Sequence, residues 1–212
     1  RFLMGFAALW LLRRHVLRTK KRSHELLFAA AGITGVTLYY LLENVALVYA
    51  NASVVGVVVA VSPLFTAILG TLTGSERKLG VRFFAGFVVA MAGIALVSLQ
   101  GAVTVGPDGT PVLAVSFGTW GDVLALLAAV VWAFYSTIVK RIADLGYETI
   151  ASTKRTFAWG LLFMIPFLPI MGATPDLTCL LDVVNVGNLL FLGLIASAAC
   201  FVTWGIAVSR LG

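Results

Sequence analysis

Residues 26–49 read LLFAAAGITGVTLYYLLENVALVY, with Glu43 as the single charged side chain. A helix rises about 1.5 Å per residue, so roughly 20 such residues cross the 30 Å hydrocarbon layer of a bilayer. This stretch is long enough and apolar enough to do so. Immediately before it stands RRHVLRTKKR at residues 13–22, six cations that cannot enter hydrocarbon. An apolar helix flanked by a basic loop is the unit from which the rest of the chain is read.

Working outward, the same unit recurs. Apolar stretches lie at residues 2–12, 52–73, 79–99, 119–139, 156–171 and 187–208, giving seven expected crossings with the first. Runs such as VVGVVVAV at 54–61 and LALLAAVV at 124–131 do not alternate. A membrane barrel would alternate lipid-facing and interior residues over about ten positions. The expected fold is therefore all-α, a polytopic transmembrane helix bundle. Composition agrees: of 212 residues, 60% are hydrophobic and 11% charged, with a mean hydropathy of +1.03. A soluble chain of this length would carry about a quarter charged residues.

The net charge of +6 does not point to nucleic acid, because the bases sit in short loops. With the loop after the first crossing in the cytoplasm, residues 13–25, 74–82, 140–155 and the end at Arg210 hold fourteen of the fifteen Lys and Arg. The outer connections hold Asp108, Asp176 and Asp182. That asymmetry is the positive-inside rule, and it places the chain in a cytoplasmic (inner or plasma) membrane. Gly106-Pro107-Asp108-Gly109 marks an exposed turn near the middle of the chain. Residues 176–186 have apolar positions at helical spacing and suit either a membrane surface or an irregular loop. Cys179 and Cys200 suggest neither a disulfide nor a metal site, and no cofactor is implied. The abrupt ends at Arg1 and Gly212 are read as truncations.

A weak internal repeat is present. An offset of 161 pairs Tyr40 with Phe201 and Ala46 with Ala207, and residues 1–5 are weakly similar to 155–159. The paired segments lie five helices apart, so the second copy is inverted. Inverted repeats are a mark of secondary transporters, whose substrate site lies near the bilayer midplane.

Tyr39-Tyr40-Leu41-Leu42-Glu43-Asn44-Val45-Ala46-Leu47, continuing to Ser62-Pro63-Leu64-Phe65-Thr66-Ala67-Ile68-Leu69-Gly70, resembles the first half of an EamA-type member of the drug/metabolite transporter superfamily. Gly121-Asp122-Val123-Leu124-Ala125-Leu126-Leu127-Ala128-Ala129, leading to Trp132-Ala133, is similar to the opening of that family's second half. The resemblance implies ten helices in two inverted five-helix repeats. The seven visible crossings would be the second to eighth, with residues 1–101 in the first repeat, 102–118 an outer loop and 119–212 in the second repeat. Residues 176–187 match no family motif.

Glu43 stands about six residues inside the outer end of its helix. A carboxylate at that depth is costly unless it is protonated, paired or wetted, so its default reading is functional, here proton coupling. Tyr39, Tyr40 and Asn44 share its helical neighbourhood and suit an organic substrate, though tyrosines packed between helices would look the same. Ser62 precedes Pro63, which removes a helix hydrogen bond and suits a hinge or a static kink. Trp132 and Tyr135 on the fifth crossing and Trp204 on the seventh are candidates for the opposite wall, with ordinary packing as the alternative. Asp122 is expected to favour a helix N-terminus at the outer interface. Gly70, Gly74, Gly86, Ala90 and Gly93 are expected to permit close helix packing. His15 and His24 are expected to be solvated.

No paired carboxylates, HExxH pair, P-loop or nucleophile with a base is present, so an enzyme is not expected. The expected activity is secondary transport, most plainly export of small organic metabolites or drugs by alternating access, possible proton coupling included. Uncoupled uptake or facilitated passage, and a non-transporting scaffold or receptor subunit, are the alternatives. The partners expected are such a small molecule and the lipid bilayer, with a homodimer as an option.

Overall fold

The computed structural model describes residues 1–14, 17–73, 80–101, 103–105, 110–113, 119–170 and 182–211. The expected helical membrane fold is observed: each of the seven apolar stretches forms helix. In order these are α1 (Phe2–Leu12), α2 (Arg22–Gly32) running through a π-helical segment (Ile33–Leu38) into α3 (Tyr39–Tyr49), α4 (Ala52–Val59), α5 (Ser62–Leu72) and α6 (Val81–Gly101). After the midpoint come α7 (Trp120–Asp144), α8 (Thr149–Met164), the short α9 (Phe167–Ile170), α10 (Val183–Leu190), a second π-helical segment (Phe191–Ala199) and α11 (Cys200–Leu211). Among the described residues, four helical segments are long and apolar enough to cross a membrane: Arg22–Tyr49, Ala52–Leu72, Trp120–Asp144 and Val183–Arg210.

Three details differ from the sequence reading. Part of the central outer connection is a small antiparallel hairpin, Val103–Val105 against Pro111–Leu113, so its flanks pair on either side of the turn signal. The last crossing starts at Val183, where the Asp182 carboxylate accepts a hydrogen bond from the Val184 amide at 2.9 Å and satisfies an end donor. The sixth crossing starts at Thr149, which brings Lys154 and Arg155 inside the helix. Most of the connection 176–186 lies outside the described residues.

The chain forms two compact units, Arg1–Thr37 with Ile138–Gly212, and Leu38–Thr137. These cut across the sequence halves, since the first unit takes helices from both.

In the first unit the close approaches are made at glycines. A methyl group on Gly32 would lie 2.6 Å from the Gly160 amide nitrogen, and one on Gly160 would strike the Val36 side chain. Gly5 and Gly193 form a second crossing, where a methyl group on Gly193 would lie 2.9 Å from Met4 Cβ. Small residues let membrane helices approach this closely, so that van der Waals contact can hold them without a hydrophobic driving force. The expectation for Gly86, Ala90 and Gly93 is corrected. All three are exposed, and nothing lies within 4 Å of a methyl group built on either glycine. Gly70 is buried, whereas Gly74 lies outside the described residues.

The offset of 161 seen in the sequence also carries Gly32 onto Gly193, and the first π segment onto residues 194–199 inside the second. Between these crossings Phe2, Phe157 and Phe201 pack edge to face, with ring centroids 5.0–6.1 Å apart. Such pairs add about 0.5–1.5 kcal/mol each beyond burial.

The second unit is organised by alanine. Ala125, Ala128, Ala129 and Ala133 are wholly buried and recur at the three- and four-residue steps that mark one helix face. Ala46, Val55 and Ala125 form a core that Ala50, Val58, Val59 and Leu124 cover. A methyl group on Gly121 would lie 2.7 Å from the Ala46 carbonyl, so α3 and α7 touch backbone to backbone at this end.

Candidate functional site

The alanine register decides which side chains meet. Stepping seven residues back along α3 from Ala46 reaches Tyr39, and stepping seven forward along α7 from Ala125 reaches Trp132. Seven residues are about two turns, or roughly 10 Å, on each antiparallel helix. The large rings therefore arrive at one level, where no alanine separates them. Tyr39 and Trp132 have ring centroids 4.8 Å apart, Tyr39 and Tyr40 4.7 Å, and Trp132 and Tyr135 5.0 Å. Tyr39 is 8% exposed and Tyr135 2%. Glu43 follows one turn after Tyr39 and is half-buried; its Oε1 accepts a hydrogen bond from the Tyr39 hydroxyl at 3.2 Å. The arrangement offers four ring faces or edges and one oriented carboxylate, a set able to hold an organic molecule by stacking while one polar group fixes it.

Not every candidate joins this cluster. Asn44 is exposed. Ser62 is half-buried at the start of α5, where its carbonyl accepts from the Thr66 hydroxyl at 3.0 Å. Pro63 is exposed and stands in the first turn of that helix. The third crossing is thus broken at Ala60-Val61, and Pro63 opens the second piece, where its missing donor costs least. Thr66 bonds back to the preceding turn, which also favours bending. Trp204 lies half-buried on α11 in the other unit. Asp122 occupies the first turn of α7, its carboxylate accepting from the Thr119 amide at 3.0 Å, which is the end-capping role expected of it.

Sequence reasoning missed a second polar constellation, at the basic end of the first unit. Glu25 Oε1 accepts from Arg155 Nε at 2.8 Å and from Trp159 Nε1 at 2.6 Å. The Tyr147 hydroxyl meets His24 Nδ1 at 2.7 Å and accepts from the Lys20 amide at 2.9 Å. The expectation of a solvated His24 is thus corrected: its ring is half-buried and lies edge-on to Tyr147, with centroids 5.7 Å apart. His15 lies outside the described residues. Lys154 is 3% exposed; its ammonium donates to the Arg13 carbonyl just past the end of α1 at 2.6 Å and sits 4.7 Å from the centroid of the Trp10 ring. Arg13 itself pairs with Glu148 at 2.9 Å. A signal for this cluster was present, since a carboxylate, Glu25, stands just after the first basic run and Trp159 follows Arg155 by one turn.

No group of three or more His, Cys, Asp or Glu suited to a metal occurs among the described residues.

Helices of this length and apolarity define a multi-pass membrane protein. Comparison with known proteins makes this specific. Residues 1–99 match the model of the EamA-like transporter family. The EamA-type resemblance read from the sequence is therefore shown over residues 1–99.

A protein of Archaeoglobus fulgidus named an uncharacterized transporter is 27% identical over 212 residues, covering 99% of this chain and 68% of the relative. A protein of Streptantibioticus cattleyicolor named a "probable terminal-alkyne amino-acid exporter" is 29% identical over 197 residues, covering 91% of this chain and 59% of that protein. The chain thus spans 68% of the length of the first of these relatives and 59% of the second. A crystal structure 21% identical in sequence superposes with a TM-score of 0.69, covering 99% of this chain and 67% of that one, which shows the fold.

Proposed function

We propose that the protein works as a secondary transporter that exports small organic metabolites or drugs across the cytoplasmic membrane. Access alternates between two inverted repeats, residues 1–101 and 119–212, with the basic connections inside the cell. The observation that carries this reading is the Tyr39–Tyr40–Trp132–Tyr135 cluster with Glu43 hydrogen-bonded to its first ring. The rings bind the organic part of the substrate, and Glu43 exchanges a proton with it in each cycle. Pro63 marks the break in the third crossing about which that helix bends. The glycine crossings and π segments related by the 161-residue offset support the division into repeats. Export rather than uptake is favoured by the relative named an exporter, and transport as such by the family match.

The test is reconstitution of the full-length protein in proteoliposomes with a metabolite panel and an imposed pH gradient. Glu43→Gln is expected to lower gradient-driven flux at least tenfold and flatten its pH dependence. Wild-type flux and pH dependence in that variant would remove Glu43 from the mechanism. Trp132→Ala with unchanged flux and half-saturation would remove the ring cluster from the site.

A further inference from the structure

The first unit holds a groove of about 570 Å³ that the transport reading does not use. Leu9 and Leu12 of α1 form one wall, Leu194, Ala198 and Val202 the other, and Ile150 closes one end. Its volume falls within the roughly 300–1,000 Å³ of ligand sites, yet its only hydroxyl is that of Thr203. A polar metabolite buried here would lose its hydrogen bonds to water and regain almost none, a cost of about 1–3 kcal/mol for each unsatisfied group. The occupant must be an apolar chain.

The mouth of the groove says what that chain carries. Leu11 and Leu12 line it, and the next two residues are Arg13 and Arg14, both exposed. Lys154 donates to the Arg13 carbonyl, and Glu148 pairs with the Arg13 guanidinium. Two exposed arginines therefore follow directly on the wall residues Leu11 and Leu12, one of them paired with the Glu148 carboxylate. Basic groups at the polar end of a hydrocarbon groove attract an anionic headgroup whose tails remain in the apolar part.

We propose that this groove is a binding site for an anionic glycerophospholipid. One acyl chain lies between α1 and the helix of Leu194–Val202, and the phosphate lies against Arg14 and the outer edge of Arg13. The site is independent of the substrate and of its coupling ion.

Native mass spectrometry of the purified protein in detergent, with phosphatidylglycerol or phosphatidylcholine added, tests it. Wild type is expected to retain one phosphatidylglycerol about fivefold more readily than phosphatidylcholine, as one to two basic contacts would give. Ala199→Phe and Thr203→Phe, both at exposed positions lining the groove, are expected to release it while the protein stays monodisperse. Arg14→Gln keeps a bound lipid but loses the preference for the anionic one. Equal retention of the two lipids by wild type overturns the proposal. So does retention that survives both phenylalanine variants. If the longest natural form of the chain holds no lipid that these variants displace, a protein segment fills the groove and the proposal fails.

Discussion

The basic end of the first unit and the ring cluster of the second both join residues far apart in sequence by polar and aromatic contacts, yet they are built for different tasks. At the basic end the carboxylate of Glu25 is bonded by both Arg155 and Trp159, Lys154 is held by a backbone carbonyl, and the glycine crossing beneath admits no added methyl group. Such a region has one low-energy arrangement. In the ring cluster the Glu43 carboxylate takes a hydrogen bond of 3.2 Å from the Tyr39 hydroxyl, and the aromatic pairs meet at several angles. The lesson is that a charge tied between separate helices braces a fold, whereas a charge set beside aromatic rings is a candidate for chemistry.

That contrast can be broken most forcefully at the crossings. Gly160→Leu drives a branched side chain into Val36, and overpacking of this kind costs about 1–3 kcal/mol or more. The expected result is aggregated material on size exclusion in detergent, whereas Gly86→Leu on the exposed face of α6 remains monodisperse. A tolerated Gly160→Leu would mean that the first unit is not locked there.

Arg155→Ala removes the ionic partner of Glu25. The two side chains are 34% and 22% exposed, so solvent moderates the loss to about 1–2 kcal/mol, read as a lower thermal midpoint. Glu43→Gln keeps the shape of the ring cluster and should shift the same midpoint by less than about 0.5 kcal/mol. Should Glu43→Gln prove as destabilising as Arg155→Ala, Glu43 would be scaffold too.

Tyr147→Phe keeps the ring against Phe28 and His24 but deletes the hydroxyl that serves His24 and Lys20, at an expected cost of about 1 kcal/mol.

Much of the fold was legible because hydrocarbon imposes a simple rule. Apolar runs such as 26–49 and 119–139 must be helical, and each was found so within a few residues at its well-described ends. The weaker readings failed where hydropathy stops discriminating. Lys154 and Arg155 looked like loop residues because they are charged, yet a carbonyl and a carboxylate from other helices draw them into α8. Gly86 and Gly93 looked like packing glycines because small residues permit contact, but permission does not supply a neighbour. Of the candidate site, Tyr39, Glu43, Trp132 and Tyr135 could be named from their unusual chemistry in apolar helices. That Tyr39 meets Trp132, and that Asn44 does not join them, follows from the alanine register between α3 and α7, which no single helix reveals.

The sequence by itself determined that this chain is a bundle of membrane helices, because the energy of placing polar backbone and charged side chains in hydrocarbon is large and local. Only the tertiary structure decided which charges are braces, which rings meet and which glycines are contacts. Those outcomes depend on partners distant in sequence, and differ by only a few kcal/mol.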